Sequence, residues 1–588
     1  MRALPRCNRP SCGGANQSGH HSGVLNGWQL RILNAGNVVI AMPLLMQKLP
    51  KAHILKALTA SVLIAIQSVS LLMSPAYAAA LPTLGDGASS LTTGDERRLG
   101  DSIARELYRD PDYLDDPVLQ EYVEGIWLHL QDAARKNGEL SPELEERFAW
   151  TLLLGKDRQV NAFALPGGYM GVYLGLIGVV SSGDELASVI AHETSHITQR
   201  HIARMMAQQG KQTPLMLASM LLGALAATRS PDAAMAIMMG GPAAMMQNQL
   251  NFSRSMESEA DRMGYSLMSP AGFAPQGFVS MFGKLQQASR LNDNGSWPYL
   301  RSHPLTTQRI ADMDARIPPG KRAAEPAPTL EHVMMAARAR VISNPGAEVR
   351  RQWATLPRSG SFAGLPQSEQ VAQLYAATLS ALYLRDWVIA REMVQRLLTA
   401  TAGNAQANIQ AKWLDAELEF KADNAQAALA ALPLQSSKAP QAAPKVTASG
   451  NLSGPSLATI DVVESVAPRR PELLLKADIL LKLNQAGPIA SPLQTWVTDH
   501  PRDGGAWQML ARVWRSQGQE LRALRAEAEA QVAHYDYAAA VDRFKAAQDL
   551  ARKAGARVDY FEASIIDTRL RAVSELLREQ LSDKAINK

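Results

Sequence analysis

Residues 185–202 read ELASVIAHETSHITQRHI, an apolar run of helical character that carries His192, Glu193 and His196. On a helix of 3.6 residues per turn, His192 and His196 fall one turn apart on one face, so both imidazoles reach one metal ion while Glu193 stands beside it. Zinc held by two imidazoles and one carboxylate keeps a fourth position for water, lowers that water's pKa to about 7, and leaves its proton to a neighbouring Glu. The spacing predicts a zinc hydrolase, provided another part of the chain completes the site. Ser182, three residues before Glu185, is the capping-box pattern that starts such a helix.

Outward from this run, residues 148–154, 160–165 and 169–174 are apolar and bounded by Gly155-Lys156-Asp157 and Pro166-Gly167-Gly168, and they read as strands. Residues 97–107 and 118–130 have helical periodicity. No other stretch makes a convincing strand. The predicted class is α+β and mostly helical: a helix-rich, gluzincin-like domain with one small sheet over residues 79–316. Four prolines and a glycine within 317–328 mark a boundary, with the linker assigned to 317–329. From 330 to 588 the chain is rich in Ala, Leu, Gln and Arg. Trp507 and Leu510, then Tyr537, Ala540, Phe544 and Ala547, have the spacing of a tetratricopeptide helix pair, echoed more weakly in 373–398 and 406–432. An α-solenoid of such repeats, offering a concave surface to partners, is expected, with a flexible insertion at 435–456. The Ala/Met-rich segment 214–246 reads as a helical hairpin, more in keeping with core than with an adaptable binding surface. Its apolar part, 215–227, is too short for a bilayer, which needs about 20 residues.

A chain of 588 residues calls for two or three domains. Its formal charge of +5 is lopsided: residues 1–78 hold seven Lys and Arg and no acidic residue, leaving 53 basic against 55 acidic beyond them. The basic balance belongs to the leader and does not argue for nucleic acid. Lys48, Lys51 and Lys56, the apolar run 57–73 and Ala76-Tyr77-Ala78 make residues 46–78 a signal peptide, with cleavage expected after Ala78; a retained anchor is the competing possibility. Residues 1–45 read as an upstream extension or a misassigned start, the natural one being Met42 or Met46. Cys7 and Cys12 are the only cysteines, so a cysteine nucleophile or thiolate zinc site is excluded beyond the leader. Export to a bacterial periplasm, with membrane association peripheral at most, is expected.

The metzincin pattern would need Gly at 199 and His at 202, where the chain has Gln199 and Ile202. His201 misses by one position and reads as a surface histidine. A second helix over 251–267 offers Glu257, Glu259 and Asp261; Glu257 and Asp261 share a face, while Glu259 points away from both. If Glu257 is a ligand, Asp261 can accept the N–H of a ligand imidazole and orient it.

These residues together resemble the metallopeptidase family of the CAAX-prenyl protease and HtpX: His192-Glu193-x-x-His196, Ser253-Arg254 before Glu257-x-x-Ala260-Asp261, and the upstream Asn161-Ala162-Phe163-Ala164 and Pro166-Gly167-Gly168. Its leader and tail resemble those of exported relatives that serve outer-membrane barrel assembly. The resemblance implies one zinc ion per chain held by His192, His196 and Glu257, with Glu193 as general base. It also implies that His303, in Ser302-His303-Pro304-Leu305, is a fourth ligand that shuts the site until displaced.

The expected activity is that of a periplasmic zinc endopeptidase coupled to a helical-repeat adaptor. An extended substrate would lie along the strand edge at Asn161, Ala162, Phe163 and Ala164. By resemblance its substrates are stalled or misfolded outer-membrane barrel proteins, and its partners the barrel-assembly machinery, met through the repeat domain. The alternative is a chaperone or scaffold acting through the repeats, its zinc site latent.

Overall fold

Capping chemistry places the first helices. Thr92 closes a capping box with Asp95 to start α1 (Thr93–Tyr108), and Asp116, with Pro117 in the first turn, starts α2 (Pro117–Lys136). The computed structural model describes residues 91–208, 253–290, 296–316, 328–433, 469–555 and 559–586. The upstream extension and signal peptide (1–78), the Ala/Met-rich segment 214–246, most of the 317–329 linker and the 435–456 insertion lie outside the described residues.

Between α1 and α2 lies the two-residue strand β1 (Tyr113–Leu114), and α3 (Pro142–Arg147) leads into β2 (Thr151–Gly155). After β3 (Ala162–Leu165) and β4 (Tyr169–Tyr173) come α4 (Leu174–Val179), the motif helix α5 (Gly183–Thr198) and α6 (His201–Gln208). The sheet runs β1-β2-β4-β3, with β2 and β4 parallel and both outer pairs antiparallel. β3 is therefore an edge strand, as the sequence suggested. β1 is an addition to the expected strands, too short to leave a period-2 signal. Gly167 and Gly168, both at positive φ, make the β3–β4 turn and fit where a Cβ would strike α1 and Phe148.

α7 (Arg254–Met268) crosses α5 at the motif. Gly264 allows this, since a Cβ there would lie 3.0 Å from the backbone at Ala191 and His192. Then follow α8 (Gln276–Arg290), α9 (Tyr299–Ser302) and α10 (Thr307–Arg316). The Ser182 hydroxyl caps α5 by accepting from the Glu185 N–H, but the Glu185 carboxylate accepts from the Ser181 N–H and pairs with Lys284, anchoring α5 to α8.

Among its described residues the tail forms helices alone: α11 (Leu330–Ser343), α12 (Ala347–Thr355), α13 (Gln367–Leu384), α14 (Trp387–Thr401), α15 (Ala405–Lys421) and α16 (Ala425–Ala431), then α17 (Arg470–Lys482), α18 (Ala490–Asp499), α19 (Gly504–Ser516), α20 (Glu520–Ala533), α21 (Tyr537–Ala554) and α22 (Tyr560–Ile586). Successive helices pack on each other through α13–α14–α15 and α19–α20–α21–α22. One hydrophobic core runs from α2, α5 and α8 into α11, α13, α14 and α15. Ion pairs reinforce the junction: Arg338 of α11 grips Asp116 at 2.7 Å and Glu417 at 3.0 Å, and Arg470 bridges Asp115 and Asp503. Farther along, the Tyr535 hydroxyl meets Tyr169 at 2.5 Å and Arg97 at 3.2 Å. Among the described residues no helix is long and apolar enough to cross a membrane.

Candidate metal centre

The i, i+4 geometry of α5 brings His192 and His196 together with their Nε2 atoms 3.0 Å apart. From α7, Glu257 approaches His192 at 3.6 Å and His196 at 3.5 Å. His303 ends α9; its Nδ1 lies 3.3 Å from His192 Nε2 and 3.0 Å from Glu257 Oε1, while its Nε2 is 3.4 Å from Glu193 Oε1. The four groups, all buried, offer ligand atoms within 4.8 Å of one another.

Two neutral imidazole nitrogens cannot both point lone pairs at each other without a cation or proton between them. Zinc bound at about 2.0–2.1 Å by nitrogen would set tetrahedral ligands roughly 3.3 Å apart, close to the separations here. The buried Glu193 Oε1 makes no conventional hydrogen bond among the described residues, with His303 Nε2 3.4 Å away. The donor set fits zinc. It also explains the electrostatics: burial pushes Glu257 up, yet the histidines around it outweigh burial and hold its carboxyl well below the usual range. Burial holds the His196 imidazole well below its ordinary value, despite the pull of Glu257.

Asp261, one turn after Glu257, has Oδ1 3.0 Å from His192 Nδ1, the orienting place expected of it. Glu193 is fixed by β3, because the Ala164 N–H donates to its Oε2 at 2.9 Å. Asn161 lies just before β3, and its carbonyl accepts from the Tyr173 N–H on the sheet side. Ala162 and Ala164 alternate with it, so their backbone groups face the outer edge, beside Glu193.

His201 requires a correction. It is no surface histidine: it is 0% exposed, with Nδ1 2.9 Å from His196 Nδ1. The helix does not run on to residue 202; it ends at Thr198, and Arg200 at φ +51° turns the chain into α6, swinging His201 back under His196. Glu259 stays out of the four-residue cluster, as expected, but reaches His201 Nε2 at 3.1 Å.

Two residues of the site were not anticipated. Arg309 on α10 pairs both oxygens of Asp261 at 2.6 and 2.8 Å, approaches Glu257 Oε2 at 2.7 Å, and donates to the Pro304 carbonyl at 2.9 Å. Tyr299 stacks on His303 with ring centroids 4.6 Å apart, and burial with Glu193 and Glu257 pushes its hydroxyl well above its ordinary pKa. Their only sequence signal is spacing, four residues before and six after His303.

Residues 130–317 match the model of peptidase family M48, whose metal is zinc. The chain is 36% identical over 267 residues to a putative beta-barrel assembly-enhancing protease of Vibrio cholerae, covering 45% of this chain and 52% of that protein. It is 30% identical over 346 residues to the beta-barrel assembly-enhancing protease of Escherichia coli, covering 57% and 66%. A mitochondrial metalloendopeptidase of Saccharomyces cerevisiae is 28% identical over 201 residues, covering 33% and 55%. The matches thus span between about half and two thirds of these relatives' lengths.

Proposed function

We propose, from the premise that residues 130–317 are a zinc metallopeptidase domain of family M48, that this chain is a periplasmic endopeptidase gated by His303. The observation that carries the proposal is the position of the His303 imidazole. It lies between the base and the ligands, 3.4 Å from Glu193 and 3.0 Å from Glu257, in the space an attacking water needs. A fourth protein ligand closes a catalytic zinc site. Activity then requires the segment after α9 to move and the Tyr299–His303 stack to open.

With His303 withdrawn, Glu193 takes a proton from water as the oxygen adds to the scissile carbonyl carbon, and returns it to the amine nitrogen as the C–N bond breaks. Zinc, when bound, polarises that carbonyl and acidifies the water. Ala164 holds one Glu193 oxygen, which leaves Oε1 to work on the proton. The outer edge of β3 takes the substrate as an added strand through Ala162 and Ala164, a mode that fixes the backbone and asks little of the side chains.

The substrates proposed are stalled or misfolded outer-membrane barrel proteins, in keeping with the names of the relatives. The tail is proposed to be a tetratricopeptide solenoid that meets the barrel-assembly machinery. Burial of Leu510, Ala540, Phe544 and Ala547 in successive helix pairs supports this. Casein cleavage tests the proposal: Glu193→Gln is expected to abolish it with zinc retained, and His303→Ala to raise it. Unchanged cleavage by zinc-loaded His303→Ala contradicts gating. Full outer-membrane assembly by Glu193→Gln would favour a chaperone role instead, for which the closed site already speaks.

A further inference from the structure

His192 and His196 are ligands of the same kind, yet their rear nitrogens meet different groups. Behind His192 stands the carboxylate of Asp261, clamped by Arg309. Behind His196 stands another imidazole: the Nδ1 atoms of His196 and His201 are 2.9 Å apart, with the rings crossed at 76°. Only one of those two nitrogens can carry the proton. His196 presents Nε2 to the cluster, so in its neutral form its proton is on Nδ1, and His196 is the donor. A neutral His201 then accepts at Nδ1 and carries its own proton on Nε2, which points at Glu259 Oε2 3.1 Å away. Glu259 is in turn held by Arg204 at 2.9 Å. One protonation pattern satisfies each of these contacts from the cluster to Arg204.

We infer that His201 and Glu259 are positioning residues for the metal ligand His196, a relay that fixes its tautomer and ring orientation and so tightens the metal site. The relay joins three helices: His196 is on α5, His201 and Arg204 on α6, and Glu259 on α7, two residues after the ligand Glu257. The break at Arg200 gains a function from this, because a helix continued straight through residue 201 would turn that imidazole away from His196. Neither residue touches a substrate position; both act through His196. Groups behind a ligand imidazole typically set metal affinity by about 10- to 100-fold.

The inference rests on the cluster being a zinc site, and the experiment separates the two. Zinc affinity of the full chain is measured by competition with a chromophoric chelator for the parent, His201→Phe, His201→Asn and Glu259→Gln, with thermal unfolding of the metal-stripped proteins as the control for folding. His201→Phe, which keeps a ring but no acceptor, is expected to lose about 10- to 100-fold in affinity. His201→Asn, whose amide oxygen can accept from His196 Nδ1, is expected to recover most of it. Glu259→Gln, at a partly exposed position that leaves the fold intact, is expected to lose less than His201→Phe. Equal affinity in all four proteins overturns the relay, as does an equal loss in the Phe and Asn variants, which would mark a packing role. A parent protein that takes up no zinc overturns the metal site itself.

Discussion

Arg309→Met removes the guanidinium that, among the described residues, pairs with both Glu257 and Asp261 on α7. Arg309, Glu257 and Asp261 are all buried, and the guanidinium lies 2.6 and 2.8 Å from Asp261 and 2.7 Å from Glu257. Water cannot replace it without opening the site. Breaking a buried ion pair from one side costs about 3–5 kcal/mol, because a charge is left uncompensated. Zinc would still neutralise Glu257, so the zinc-loaded protein should fall at the lower end of that range and the chelator-treated protein at or above the upper end. Arg309→Lys keeps the charge but not the forked geometry, and should recover only part. Denaturant unfolding of the three proteins, with and without chelator, reads these differences directly. A loss below about 1 kcal/mol for Arg309→Met in both states would refute the reasoning, since that is the range of a solvated surface pair.

His332 donates from Nε2 to the Val180 carbonyl at 3.1 Å and meets the Tyr122 hydroxyl through Nδ1 at 2.7 Å, and burial lowers its pKa to about 4. With the folded pKa below the unfolded value near 6.5, its contribution is present above pH 6.5 and lost as pH falls through 4, up to about 3 kcal/mol; His332→Gln should lack that part of the pH slope in unfolding experiments. Gly264→Val should wedge α7 away from the motif, costing about 1–3 kcal/mol and weakening zinc binding, and an unchanged chelator titration would show that the crossing tolerates a side chain. Free zinc at 100 times its dissociation constant should raise unfolding free energy by about 2.7 kcal/mol over the chelated protein, and no shift in the unfolding midpoint would deny any link between metal and fold.

The histidine pair is legible because i, i+4 spacing on a helix needs no tertiary information; the same rule puts Glu257 and Asp261 on one face of a second helix, while the choice of Glu257 as third ligand comes from the family resemblance. Periodicity carried through residue 202 places His201 on the surface, whereas the positive φ at Arg200 redirects the chain and buries it. Arg309 lies 48 residues from Asp261 along the sequence, and an ion pair over that distance leaves no periodic trace. Three of the four strands of the small sheet are readable from apolar runs bounded by turn residues, and β1, two residues long, is not. The docking of the tail is not readable either, because it depends on single side chains such as Arg338, Arg470 and Tyr535 finding partners hundreds of residues away.

The most direct measurement is the zinc K-edge absorption spectrum of the purified full chain beside that of His303→Ala. One zinc per chain is expected, in a four-coordinate shell of nitrogen and oxygen with three imidazoles, falling to two when His303 is removed. Identical spectra from the two proteins, or a shell without the multiple-scattering signature of imidazole, would contradict a zinc centre closed by His303.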